Sequence, residues 1–159
     1  MAQPTRAPGQ RRHVPGSALR RRGAGRGTHV KFSFLELPGQ PLPLARPVVP
    51  VQVEDLQDAP QLCLVDTGST HNRFGAWLAR AVGIDLSEIE PVQIALGGGL
   101  TSAFHTRADL TIAGTRYDAP VTFCDPWPYA FHLLGQEGFL RYFRLEVCAA
   151  EFWLDLTPE

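Results

Sequence analysis

From His29 onward, apolar and polar residues alternate in short stretches, as in β-strands that bury one face. Turn-forming segments separate the stretches, among them Pro38-Gly39-Gln40-Pro41 and the polar residues 54–60. The strands predicted in this way are 29–37, 47–53, 61–65, 91–96, 100–104, 108–112, 117–123, 143–147 and 151–156. The pattern therefore predicts an all-β domain that closes with a hairpin of its last two strands.

Two segments have helical spacing instead. Residues 74–82 repeat apolar side chains at helical intervals, and Gly83 follows as a C-cap. A second helix is predicted over 136–143, directly after the short apolar run Leu133-Leu134-Gly135. One or two short helices are therefore expected on the β domain.

Composition divides the chain into two parts. The length of 159 residues and a hydrophobic content of 44% suit one globular domain with a sizeable core. Residues 1–28 are rich in Pro, Gly and Arg and have almost nothing apolar to bury. We therefore expect a disordered tail at 1–28, before a folded domain at 29–159. No apolar stretch is long enough to span a membrane, and the N-terminus lacks the apolar segment of a secretory signal.

The net charge of −1 conceals an asymmetry. Eight basic residues and no acidic one occur up to Lys31, while the rest carries seven basic and sixteen acidic residues. Such a tail can contact nucleic acid or anionic lipid, but it has no aromatic residue to stack on bases. We favour a solvated tail, or an extension from an upstream start codon, over nucleic-acid binding.

The cysteines indicate neither disulfides nor zinc. Cys63, Cys124 and Cys148 are too few and odd in number for a disulfide framework, and no Cys-x-x-Cys spacing is present. We expect reduced thiols in a cytoplasmic protein that uses no metal and no cofactor.

The segment most suited to chemistry is Asp66-Thr67-Gly68-Ser69. Asp66 follows the apolar run 62–65, which reads as the end of a buried strand, and Thr67-Gly68 turn the chain where it leaves the core. This arrangement holds one carboxylate at the tip of a strand among hydrogen-bond donors. The chain contains no second Asp-(Thr/Ser)-Gly.

A glycine-rich hairpin follows about 30 residues later. Gly97-Gly98-Gly99 separates two predicted strands, which indicates a hairpin with a mobile tip. A phosphate-binding loop is disfavoured, because no Lys-(Ser/Thr) follows and the glycines do not match a dinucleotide-binding pattern.

These elements, in this order, resemble the retropepsin-like aspartic proteases, the single-lobed, retroviral-type family with bacterial members. The resemblance spans roughly residues 29–157 and rests on Asp66-Thr67-Gly68-Ser69, the glycine hairpin and Leu133-Leu134-Gly135. It implies a closed β-barrel that acts as a homodimer and hydrolyses peptide bonds. Asp66, Thr67 and Gly68 would be the catalytic motif, and the second Asp would come from another copy.

The resemblance also implies roles for the neighbouring residues. Thr67 would link the two loops across the dimer, and Gly68 would let backbone N–H groups approach the carboxylate. A hydroxyl donated by Ser69 to the carboxylate would lower the carboxyl pKa and favour an acidic optimum. Leu96, Gly97, Gly98 and Gly99 would form a flap that, with Ser69, contacts a bound peptide. The run Leu133, Leu134 and Gly135 would support the catalytic loop from beneath.

One departure from the viral pattern concerns assembly. Viral enzymes carry Arg and then Asp or Asn after the glycine, whereas this chain has Gln136 and Glu137. The interface contacts made by that Arg therefore do not transfer. The loop residue Asp125 is a disfavoured source of a second carboxylate within one chain, and we expect His71 to be a loop or surface residue.

Two other functions stay open. The chain could be a catalytically inactive dimer of this fold that binds peptides or serves as a scaffold. Alternatively, the β domain could be an unrelated interaction module with a basic tail. The intact Asp-Thr-Gly favours the protease, because binding alone does not require the Asp.

Deleting residues 1–28 is expected to leave the domain folded, because this segment has too few apolar residues to join a core. Circular dichroism and thermal unfolding of the full and shortened chains would measure this. Loss of the cooperative transition on deletion would place the segment within the domain.

Overall fold

The computed structural model describes residues 29–39, 42, 44–56 and 58–159. The expected disordered tail at 1–28 lies outside these residues, so that assignment and the domain boundary stay predictions. Twelve strands are described: β1 (Val30–Ser33), β2 (Leu35–Glu36), β3 (Ala45–Arg46), β4 (Val48–Val53), β5 (Gln61–Val65), β6 (Asn72–Gly75), β7 (Val92–Leu96), β8 (Gly99–Ile112), β9 (Thr115–Asp125), β10 (His132–Leu134), β11 (Phe143–Cys148) and β12 (Trp153–Pro158). Helix α1 spans Ala76–Ala81, and a π-helical turn spans Gln136–Leu140.

Six strands close into a barrel. They are hydrogen-bonded in the order β4-β5-β10-β6-β9-β8, and β8 pairs back with β4 through Gln52↔Thr111 and Val53↔Leu110. Strand β7 extends the sheet beyond the ring by pairing with β8. The predicted all-β, closed-barrel fold with one or two short helices is confirmed, while the homodimer stays a prediction.

The barrel encloses the main hydrophobic core. Alternate residues of β4 point inward, so that Val49, Val51 and Val53 are fully buried. They pack with buried aromatic and aliphatic side chains from every part of the ring, including Phe74, Leu110, Phe123, Leu134 and Phe139. A second, smaller cluster contains buried Leu37, Val48, Phe131 and Leu133.

A separate three-stranded sheet carries the chain ends of the described domain. Strand β12 lies in its centre, between β1 and β11, and both neighbours are antiparallel to it. Leu154 and Leu156 of β12 are buried in the main core, so this terminal sheet is packed onto the barrel. The predicted final hairpin is confirmed as β11 and β12.

Three sequence predictions on the strands were wrong. The stretch 29–37 is divided into β1 and β2, which belong to different sheets. The stretches 100–104 and 108–112 are parts of one strand, β8, which pairs with β9 from Ser102 to Ile112. Phe74 belongs to β6 and not to a helix, because parallel pairing with β9 sets it opposite Phe123. Helix α1 therefore begins only at Ala76.

The second predicted helix is also shorter than expected. The N–H groups of Leu140 and Arg141 bond to the carbonyls of Gly135 and Gln136, five residues back, at 3.2 Å each. The turn ends at Leu140 because Phe143 is already paired with Pro158 in the terminal sheet. A helix over the whole range 136–143 is therefore excluded.

Replacing Phe74 by Ala is expected to lower the free energy of unfolding by about 3–5 kcal/mol, because the ring is fully buried and its removal leaves a cavity. Phe152→Ala is the matched control, since that ring is 57% exposed and should contribute less than about 1 kcal/mol. Urea unfolding at one fixed protein concentration measures both changes. Equal losses in the two variants would contradict the assigned core.

Candidate active site

Asp66 directly follows β5, which is a strand of the closed barrel. Its backbone N–H donates to the carbonyl of Leu134 at 2.9 Å, which continues the parallel pairing of β5 with β10. Its carbonyl accepts from the N–H of Ser69 at 3.1 Å, which closes a turn. The side chain is half-buried. Backbone hydrogen bonds of both its N–H and its carbonyl therefore fix the main chain that carries this carboxylate.

A backbone donor orients the carboxylate itself. The N–H of Gly68 donates to Asp66 Oδ1 at 3.0 Å. Asp66 Oδ2 has no hydrogen-bond partner in the described part of the chain. One oxygen is thus held by the loop, while the other is available to water or to an external group.

Ser69 does not make the hydrogen bond that we expected. Its side chain is buried, and Oγ donates to the carbonyl of His71 at 2.9 Å instead of to the Asp66 carboxylate. The hydroxyl therefore stabilises the loop, and the basis for expecting an acidic optimum is absent within one protomer.

The run Leu133-Leu134-Gly135 lies directly under the Asp66 loop. Gly135 approaches the loop so closely that a Cβ at this position would lie 2.4 Å from the carbonyl oxygen of His71 and 2.7 Å from that of Ser69. A side chain here would displace the loop main chain, so the glycine is required by close approach. Leu134 is buried in the main core, whereas Leu133 belongs to the smaller cluster.

Two further backbone bonds and one bond to a side chain join the two segments. The N–H groups of Gln136 and Glu137 donate to the carbonyls of Ser69 and Thr70, each at 2.9 Å. Asn72 accepts from the N–H of Gly135 at 2.9 Å through its fully buried side chain. The loop is therefore supported along its length, and Asn72 is a supporting residue that the sequence reasoning missed.

Gln136 is a second residue that the sequence reasoning misjudged. We read it only as a departure from the viral Arg, yet its side-chain amide donates to the carbonyl of Thr67 at 2.8 Å. Its position directly after Leu133-Leu134-Gly135 was the available signal. The Gln therefore contacts the Asp66 loop of its own chain.

The glycine hairpin has the expected geometry. Gly97 and Gly98 form its two-residue turn with φ of +60° and +83°, as a type I′ turn requires, and Leu96 pairs with Gly99. A Cβ at Gly97 would lie 2.8 Å from Pro128 Cγ and 3.3 Å from the hydroxyl oxygen of Tyr129. The hairpin tip thus rests on the segment that precedes β10.

That segment, residues 126–131, was read from the sequence only as a proline-containing loop. Trp127 Nε1 donates to the carbonyl of Phe131 at 3.0 Å, and the rings of Tyr129 and Phe131 stack at 5.2 Å. Thr101 Oγ1, at the base of the hairpin, donates to the carbonyl of Pro126 at 2.7 Å. We call residues 126–131 the aromatic loop. It joins the hairpin to the smaller apolar cluster, which includes Leu64, two residues before Asp66.

His132 lies behind this loop, buried among aromatic rings. Its ring centroid is 5.2 Å from that of Phe74 and 5.6 Å from those of Trp77 and Trp127. The N–H of Gly75 donates to Nδ1 at 3.4 Å, so Nε2 carries the proton that faces Gln61 Oε1 at 3.3 Å. Burial lowers the pKa of His132 to about 4.

Burial also accounts for the pKa shifts of His71 and Cys124. His71 is half-buried beside His105, with ring centroids 5.1 Å apart, and burial followed by the nearby His105 and Arg73 lowers the pKa of His71. All three cysteines are free thiols, and burial raises the pKa of Cys124 to about 11. Within the described residues, no group of three His, Cys, Asp or Glu side chains is placed to hold a metal ion. The same residues contain no helix that is both long and apolar enough to cross a bilayer.

Comparison with known proteins assigns the fold. No protein-family model and no curated protein matches the chain. A retropepsin-like aspartic protease from Rickettsia conorii matches 80% of this chain and 98% of its own, with a TM-score of 0.57 and 15% identity. The retroviral protease-like domain of Ddi1 from Leishmania major matches 72% of this chain and 94% of its own, with a TM-score of 0.52 and 14% identity.

A third match is EIAV protease complexed with the inhibitor HBY-793, which covers 57% of this chain and 82% of its own at 21% identity. Its TM-score of 0.45 adds nothing to the assignment. The chain has the retropepsin-like fold, as the sequence predicted. At these identities the likeness concerns the fold, and the roles of individual residues are matters for proposal.

The free energy of unfolding is expected to decrease as the pH falls from 6.5 to 4. The unfolded chain binds a proton at His132 near pH 6.5, whereas the folded protein does so only near pH 4, so acid favours the unfolded state in this interval. The decrease due to this residue is roughly 3 kcal/mol, and it levels off below pH 4.

Chemical unfolding at several pH values measures this dependence. His132→Gln should remove the His132 share of the slope between pH 4 and 6.5 and leave the part due to His71. His105→Gln, at an exposed position, should retain the His132 share. Identical slopes in the wild type and His132→Gln would refute the assignment to His132.

Proposed function

We propose that two copies of the chain form an aspartic endopeptidase, in which the Asp66 carboxylates of both copies activate one water molecule. The observation that carries the proposal is the half-buried Asp66 carboxylate, which follows a strand of a retropepsin-like barrel and has Oδ1 held by the N–H of Gly68. A single copy supplies only one such carboxylate. The proposal therefore requires a homodimer with the active site on its two-fold axis.

The chemistry needs both carboxylates. Two carboxyl groups a few ångströms apart share one proton, because like charges at that distance do not both ionise. The ionised Asp66 accepts a proton from water, whose oxygen attacks the carbonyl carbon of the peptide, while the protonated Asp66 donates to the carbonyl oxygen. Collapse of this tetrahedral species breaks the C–N bond as the nitrogen takes the proton that the first Asp66 received from water. A hydroxyl of the same species returns its proton to the second Asp66, so the pair again shares one proton. The pair titrates jointly, so its two pKa values belong to the pair.

Thr67 and Gln136 are proposed to position the loop in the dimer. The Thr67 side chain is exposed and makes no hydrogen bond among the described residues, while its carbonyl is held by Gln136. The Thr67 hydroxyl is thus available to the equivalent loop of a second copy. Gln136 occupies the position that is Arg in the viral pattern, and it supports the loop from within its own chain.

The substrate is proposed to bind between the flap and the aromatic loop. The flap tip, Gly97-Gly98, presents backbone groups and contacts Pro128 and Tyr129. Opening of this contact would admit an extended peptide, and its closure would exclude water from the reacting bond. Because Tyr129 and Phe131 are stacked aromatic rings, we propose that the site prefers apolar side chains.

Asp66→Asn is expected to reduce peptide cleavage by about 10³-fold or more, because an amide cannot act as the base. Cleavage of a peptide library between pH 4 and 7.5 is the measurement. Asp58→Asn, in an exposed turn, is the matched control and should keep wild-type activity. Equal cleavage by wild type and Asp66→Asn would refute the mechanism.

Mixing the two chains tests whether the site is shared. If dimers exchange freely, adding an equal amount of the Asp66→Asn chain should lower the activity of a fixed amount of wild type to about half, since only a quarter of random dimers carry two intact carboxylates. Unchanged activity would exclude a shared site. Peptide binding without cleavage by wild type would instead favour the non-catalytic peptide-binding dimer.

A further inference from the structure

Three basic side chains lie together on the outer face of the barrel. His71 directly precedes β6, Arg73 belongs to β6, and His105 belongs to β8. Arg73 points outward because its neighbour Phe74 is in the main core. Arg73 and His105 both lie opposite Thr122 of β9, so they share one face of the sheet. The rings of His71 and His105 have centroids 5.1 Å apart. We call His71, Arg73 and His105 the basic cluster.

No acidic side chain pairs with the basic cluster in the part of the chain that the structure describes. The Arg73 side chain is half-buried and makes no ion pair or hydrogen bond there, and the His71 ring nitrogens also make no hydrogen bond. Glu137 acts on His71 but is already in an ion pair at 3.0 Å. Further along β8, Arg107 is paired with Asp118 at 2.7 Å. A half-buried guanidinium without a partner favours the binding of an anion.

The neighbouring titratable groups do not neutralise the cluster. Burial, then the charges of His105 and Arg73, lower the pKa of His71, while Glu137 raises it. Burial raises the pKa of Cys124 to about 11, against a smaller lowering by Arg73, so this thiol is neutral. Positive charge is therefore in excess here, and a bound anion would offset it.

His105 presents a hydrogen-bond donor at this site. Its Nδ1 lies 2.8 Å from Oγ1 of Thr122, a buried hydroxyl that makes no other hydrogen bond among the described residues. A buried hydroxyl needs an acceptor, and Nδ1 supplies one, which leaves the proton of the neutral ring on Nε2. The imidazolium form also carries a proton on Nε2. An external acceptor can therefore bind Nε2–H in both forms.

The basic cluster is close to the proposed catalytic group. His71 follows Asp66 by five residues, so their Cα atoms are at most about 18 Å apart, the length of five extended residues. The Ser69 hydroxyl donates to the His71 carbonyl at 2.9 Å, which fixes this part of the loop. Strand β8, which carries His105, also forms one strand of the flap hairpin. A peptide held at Asp66 can thus reach the cluster with a residue within about five positions of the cleaved bond.

We propose that the basic cluster binds the side-chain carboxylate of a substrate residue, so that the enzyme selects peptides with Asp or Glu close to the cleaved bond. This inference rests on the proposed function and adds a substrate class to it. The apolar preference proposed for the aromatic loop concerns another part of the same peptide. A guanidinium pairs with a carboxylate through two parallel N–H···O bonds, and Nε2–H of His105 supplies a further donor. The single fixed charge of Arg73 suits a singly charged carboxylate.

Matched peptides test the acidic preference in the full-length protein. At one position within about five residues of the cleaved bond, Glu should give a kcat/KM at least about tenfold above that of Gln. The ratio should increase from pH 7.5 to 5.5, because imidazoles gain protons in this interval while Glu stays ionised.

Substitutions in the basic cluster identify the groups responsible. Arg73→Gln should reduce the Glu-to-Gln ratio to about one, and Arg73→Lys, which keeps the charge, should retain part of it. The double variant H71Q/H105Q should remove the pH dependence of the ratio. Arg80→Gln, which removes an exposed charge on α1, is the control and should keep the wild-type ratio. Thermal unfolding confirms that each variant is folded.

The outcomes separate this inference from the proposed function. Equal cleavage of Glu and Gln peptides at every position and pH, or an unchanged ratio in Arg73→Gln, would overturn the acidic site. The protease would stand in that case, provided that cleavage depends on Asp66.

If the wild type cleaves nothing, fluorescence anisotropy of labelled peptides with the Asp66→Asn protein tests the site instead. The Glu peptide should bind at least about tenfold more tightly than the Gln peptide, and adding Arg73→Gln should abolish the difference. Such binding would retain the acidic site and refute only the protease. Equal binding of the two peptides would refute the site, and competition by inorganic phosphate in that case would indicate a site for free anions.

Discussion

The site depends on one contact, the support of the Asp66 loop by the segment that begins at Leu134. Backbone bonds connect the two, from the N–H of Asp66 to Leu134 and from the N–H of Gln136 to Ser69, and Gly135 permits this approach because it has no side chain. The position of the carboxylate is therefore set by main-chain bonds at the end of a buried parallel strand pair. Such bonds, shielded by the core beneath them, hold a reacting group more rigidly than a free loop would.

The same segment relates the proposed chemistry to the proposed assembly. Gln136, directly after Gly135, holds the carbonyl of Thr67, while the exposed Thr67 side chain makes no hydrogen bond among the described residues. Under the proposed mechanism, a domain with one such carboxylate needs a second copy for acid–base chemistry on a peptide. The segment that supports the loop thus leaves the Thr67 side chain available to that second copy.

Protonation affects the barrel as well as the proposed catalytic pair. His132 is neutral because aromatic rings and β-strands surround it, and its burial makes acid conditions unfavourable for the folded state. Ser69, which we expected to favour the ionised carboxylate, donates to the loop main chain. The His132 finding favours a barrel that is more stable near neutral pH than at pH 4, and the Ser69 finding removes the basis for expecting an acidic optimum.

The sequence by itself determined the strands with clear alternation, including β5 to the residue, and the Gly97-Gly98 hairpin turn, because side-chain period and turn chemistry are local properties. It also contained Asp66 and the run ending in Gly135, and the family resemblance that rests on these residues indicated the fold. Only the tertiary structure decided that Phe74 lies in a strand, that Ser69 bonds to His71 and that Gln136 holds Thr67. The Ser69 bond is local, and it follows from the path of a loop that residues 135–137 hold in place. The Phe74 and Gln136 contacts depend on partners brought close by chain closure, above all by the parallel pairs β5–β10 and β6–β9. The local sequence pattern does not specify such partners, because they are distant in the chain and become neighbours only when the barrel closes.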